Sequence, residues 1–69
     1  MRDSELFQQR ADECRDQAAT TDLANVRERC LRSEAAWAAM AQRSLRTEAA
    51  RDARATTDAL RMMETDQAA

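Results

Sequence analysis

Sixty-nine residues make one domain at most, and a chain this short hides only about 60% of the surface its unfolded form exposes. There is no Gly, Pro, His, Tyr or Lys; sixteen Ala, eleven Arg and thirteen acidic residues dominate, for a formal charge of −2. That composition excludes a strand-rich fold, which draws on Val, Ile, Tyr and Phe, and a glycine-rich phosphate loop. Ala and Arg are among the strongest helix formers, so the expected fold class is all-α.

The first predicted helix starts at Asp3 or Ser4, either of which can accept hydrogen bonds from free backbone N–H groups of the first turn. Its apolar positions Phe7, Ala11, Cys14 and Ala18 are spaced by four, three and four, a heptad seam that Leu6 widens. Thr20, Thr21 and Asp22 interrupt it, because their side chains compete for backbone hydrogen bonds and favour turns. Asp22 is the expected N-cap of a second helix beginning near Leu23, along which Val26, Cys30, Ser33, Trp37 and Met40 repeat by four, three, four and three.

Folding the chain back at Asp22 sets Phe7 opposite Trp37, Ala11 opposite Ser33, Cys14 opposite Cys30 and Ala18 opposite Val26. An aromatic pair then closes the open end while small residues let the helices approach. The expected architecture is therefore an antiparallel helical hairpin with a short first helix and a long second one. A further stripe, Leu31, Ala35, Ala38, Leu45 and Ala49, lies on another face of the second helix. One partner helix cannot cover both faces, and the stripe is the candidate interaction face.

Ala49, Ala53, Thr56, Leu60 and Met63 extend a heptad-like pattern through the last third. Arg51-Asp52-Ala53-Arg54-Ala55-Thr56-Thr57-Asp58 echoes the segment from Arg15 to Asp22, six of eight positions being identical. If the echo marks a second turn, a short third helix runs from Asp58 to Asp66. Without Gly or Pro to force a break, the favoured expectation is one continuous helix, fraying past Met63. Residues 1–69 are thus a single domain, with 55–69 a frayed extension or that third helix.

Chemistry is sparse. Cys14 and Cys30 at one level of the hairpin could form a disulfide, to which the chain-entropy estimate assigns about 3 kcal/mol. With no apolar leader segment after Met1 the expected compartment is cytoplasmic, where free buried thiols are the rule. Two thiols without His fall short of a zinc ligand set, and no cofactor is expected. Trp37 reads as a seam anchor rather than a partner hot spot, and Met40 likewise reads as core. Arg27, Arg29, Arg32, Arg43, Arg46, Arg51 and Arg54 are interleaved with Glu28, Glu34, Glu48 and Asp52, a pattern of solvated helix surface rather than of a nucleic-acid stripe. No apolar run reaches membrane length. With no His and no nucleophile beside an evident base, an enzyme is not expected.

Arg10-Ala11-Asp12-Glu13-Cys14-Arg15, the Thr21-Asp22 break, Trp37 and Ala41 together resemble a pattern in short uncharacterised proteobacterial proteins of similar size. The resemblance covers roughly residues 5–45 and implies a bacterial helical hairpin; no activity comes with it. In many of those proteins a Pro follows the turn Asp, where Leu23 stands here, and a second Cys at the Cys30 position is not typical.

The function expected from the sequence is protein–protein interaction: self-association, with a dimer packing its Ala-rich faces into a helical bundle favoured, or binding to another protein as an adaptor or small regulator. The alternative is a thiol switch in which Cys14–Cys30 oxidation locks the hairpin and alters partner binding.

Overall fold

A computed structural model describes residues 2–68 of the chain, with side chains described for 2–66. The described residues are all-α: α1 spans Asp3–Thr20 and α2 spans Ala24–Ala68, joined by residues 21–23, of which Thr21 is extended. The radius of gyration is 19.6 Å, against about 11 Å for a compact domain of this length. The extents, 69 × 15 × 10 Å, are those of a rod. Its length is set by α2, whose 45 residues outrun the 18 of α1.

The connection is built by Thr21, not by the expected cap Asp22. The Thr21 N–H closes α1 on the Gln17 carbonyl at 3.2 Å, and its own Oγ1 accepts from the Leu23 N–H at 3.2 Å. Leu23 then supplies the first carbonyl of α2, accepting from the Arg27 N–H at 3.0 Å. A threonine hydroxyl reaching two residues onward is a local turn device that holds the backbone extended. At the other end of α1, Arg2 occupies the N-cap position in an extended conformation and makes no side-chain cap, so neither Asp3 nor Ser4 caps the helix. Asp3 and Glu5 instead place negative charge in the first turn, which suits the positive end of the helix dipole.

Thr56, Thr57 and Asp58 lie within α2, so the short third helix does not form. Thr56 and Thr57 turn their hydroxyls back on the Asp52 and Ala53 carbonyls at 3.0 Å each. That one-turn back-bond satisfies the hydroxyl inside a helix, so a Thr pair need not end one where no Gly or Pro follows.

α1 packs along the first part of α2. Among the described residues the buried apolar ones are Ala11, Ala18, Cys30 and Ala41, all small, and no large side chain is fully buried. Small residues let two helices approach closely but remove little apolar area from water, so this core is thin. From Val26 the α2 face turned to α1 runs through Cys30, Ser33, Trp37, Ala41, Ser44 and Glu48, each buried or half-buried. The steps are four, three, four, four, three and four, so the seam passes through Ala41 at 0% exposure while Met40 is only half-buried. Cys30 and Ala41 are eleven positions apart, an eleven-residue repeat that follows a straight helix, whereas strict heptads drift by about 20° each.

Candidate functional site

Two side chains of α2 hold the two ends of α1. At the N-terminus, Glu48 accepts from the Ser4 N–H at 3.3 Å through Oε1 and from the Ser4 hydroxyl at 2.7 Å through Oε2. Ser4 is buried, and the Glu48 side chain is only 15% exposed. The first N–H groups of a helix have no intrahelical acceptor, and a carboxylate there also meets the positive end of the dipole. Glu48 therefore replaces the cap that α1 lacks. Arg2 covers this carboxylate from the solvent side, 4.0 Å from Glu48 and 3.2 Å from Asp52. The hydrogen bond to Asp52, with the charges of Asp52 and then Glu48, raises the Arg2 guanidinium above its ordinary pKa.

At the C-terminus the roles invert. Arg27 donates from Nε to the Ala18 carbonyl at 3.3 Å and from Nη2 to the Thr21 carbonyl at 2.8 Å. The last turn of α1 has no basic residue of its own, and a cation at this end both satisfies orphan carbonyls and meets the negative end of the dipole. Sequence reasoning missed both contacts, reading Glu48 and Arg27 as solvated surface. The available signal for Arg27 was a last turn of α1 without a base; for Glu48 there was none, since Asp3 and Ser4 both read as caps in the sequence.

Between the two ends Phe7 and Trp37 stack with ring centroids 5.8 Å apart at an interplanar angle of 29°. Both rings are half-buried, as are Cys14, Val26 and Met40, while Ala11, Ala18 and Cys30 are buried. Cys14 and Cys30 are free thiols. Of the candidate interaction face, Leu31 and Leu45 are 48% and 49% exposed, Ala35 and Ala49 are exposed and Ala38 is half-buried. From residue 49 to residue 66 every side chain is exposed, including Leu60, Met62 and Met63.

The recess beside the Ser4–Glu48 contact is open and lined by residues of both charges, among them Asp3, Arg43 and Arg51. Among the described residues no cluster of three or more His, Cys, Asp or Glu side chains is placed to hold a metal ion. No described helix is long and apolar enough to cross a membrane. The chain matches no family model, no curated protein and no solved structure.

Proposed function

We propose that this chain acts without catalysis, by protein–protein interaction, as an antiparallel helical hairpin that associates with itself through the unpartnered surface of α2. One observation carries the reading. Among the described residues the buried apolar core is four small side chains, while seven large apolar ones (Leu6, Leu23, Leu31, Leu45, Leu60, Met62 and Met63) stand exposed. A chain of this size needs more buried apolar area than that to hold a fold, and the usual sources are a staple or a second chain. A dimer is the favoured assembly, and a cytoplasmic adaptor or small regulator is the role such a rod suits.

Cys30 favours one further reading. It is buried in the α1–α2 contact with Cys14 half-buried on the facing helix, so oxidation of the pair would act directly on the packing that presents the α2 surface. Light-scattering molar mass across a concentration series, with and without reductant, tests both. The self-association reading expects mass to rise with concentration, and a monomer throughout would overturn it. Curves superimposable with and without reductant would overturn the thiol switch.

A further inference from the structure

Resting on the self-association reading, we infer that the occupant of the exposed α2 face is the same face of a second copy, antiparallel, with a two-fold axis at Ala49. The face has a symmetry of its own. Outward from Ala49, the stripe runs back to Leu45, Gln42, Ala38 and Ala35 by steps of four, three, four and three. It runs forward to Ala53, Thr56, Leu60 and Met63 by the same four, three, four and three. A palindromic spacing is what an isologous antiparallel contact requires, because each position must meet its mirror position across the axis.

The side chains complement one another in that register. Leu45 of one copy meets Ala53 of the other, Ala38 meets Leu60, and Ala35 meets Met63, so each large residue faces a small one. One polar layer on each side of the axis pairs Gln42 with Thr56, an amide with a hydroxyl. At the axis Ala49 faces itself, where only a small residue permits close approach. On one flank Arg32 comes level with Glu64 of the other copy, an opposite-charge pair; on the other, like charges meet, Glu34 with Asp66 at the far end and Glu48 with Asp52 beside the axis, where Arg2 lies against both carboxylates.

No described residue of the chain covers this face. Ala35, Gln42 and Ala49 are exposed, Leu45, Leu60 and Met63 are 49%, 55% and 58% exposed, and Ala38 is half-buried. At 100° per residue the stripe lies about 120° around α2 from the seam that holds α1, so both can be covered at once. Length points the same way: α1 reaches along α2 only as far as Asp52. In the antiparallel pair, each uncovered second half lies on the half of the other copy that α1 supports. From Ala35 to Met63 the contact is roughly 42 Å long, and a strip about 10 Å wide gives on the order of 850 Å² over both copies. That is below the ~1,200 Å² of a standard stable complex, so the dimer is reversible.

Disulfide trapping tests the register on full-length chain with both native cysteines replaced (Cys14→Ser, Cys30→Ala), its helicity checked by circular dichroism. Gln42→Cys and Thr56→Cys should each fail to cross-link alone and cross-link when mixed, with at least tenfold more covalent dimer; Ala49→Cys should cross-link alone. Ala49→Arg, which leaves the α1 contact untouched, should raise the concentration for half-association at least tenfold. A dimer in which Gln42→Cys cross-links to itself, or Ala49→Cys does not, would overturn the register and leave self-association standing. A monomer at every concentration in the unmodified protein would overturn both.

Discussion

The two halves of α2 are made of similar residues and meet different fates. Between Val26 and Glu48 the helix has Trp37 against Phe7, Ala41 shut away from water and a hydrogen-bonding side chain at each end of α1. Beyond Asp52 the same Ala- and Arg-rich composition continues with every described side chain exposed. Composition explains why both halves are helical, since neither contains a residue that stops a helix. It does not explain the difference, which comes from α1 ending where it does. Helicity here is a local property and burial a property of what lies opposite, so backbone amides of residues 54–66 should exchange with solvent far faster than those of 30–44 in the monomer.

The largest expected effect on this contrast is that of Trp37→Ala. The ring is stacked but half-buried, so the loss should be about 2–3 kcal/mol, below the 3–5 kcal/mol of a fully buried aromatic. Urea unfolding followed by circular dichroism should show the first half becoming as labile as the second. An unchanged midpoint would mean that the aromatic pair does not hold α1. Next comes Ala41→Leu, where a larger side chain at a fully buried position should cost about 1–3 kcal/mol by forcing the helices apart.

Glu48→Ala should cost about 1–2 kcal/mol, because it strands the buried Ser4 hydroxyl and N–H, with Glu48→Gln recovering part of the loss. Arg27→Ala, at a more exposed contact, should cost about 0.5–1 kcal/mol. Asp52→Ala removes only an exposed partner of Arg2 and should leave the midpoint unmoved. If Asp52→Ala matched Glu48→Ala, the clasp would be a matter of charge rather than of capping.

The all-helical fold is legible in composition, and heptad spacing alone sets Phe7 opposite Trp37, the rings that stack. What spacing could not give is the seam beyond Trp37. A seven-residue count extrapolates to Met40, whereas the contact along the 18 residues of α1 is too short to draw the helices into a supercoil, and Ala41 takes the inner place. The Thr21-Asp22 turn was legible as a turn but not in detail, since Asp and Thr both cap and only geometry decides which hydroxyl or carboxylate reaches a donor. Ser4–Glu48 and Arg27–Thr21 were hidden for a different reason. Charged residues on a helix look alike in sequence whether they face solvent or the end of another helix.

Those two end contacts make α2 a length gauge for its neighbour. Arg27 and Glu48 are 21 positions apart, about 31 Å along a helix, and the 18 residues of α1 extend about 27 Å. The charges read the ends of α1 with opposite sign, so an α1 run in the reverse direction would present a carboxylate to carbonyls and a guanidinium to N–H groups, and one slid by a turn would draw each end about 5 Å away from its anchor. A single residue deleted from the middle of α1 would turn one end by about 100° and pull it short of its anchor at the same time. Change in this protein is therefore tolerated in matched blocks: whatever lengthens α1 must also lengthen the stretch of α2 between Arg27 and Glu48, whereas the helix beyond Asp52 is free to grow or shrink without disturbing the fit.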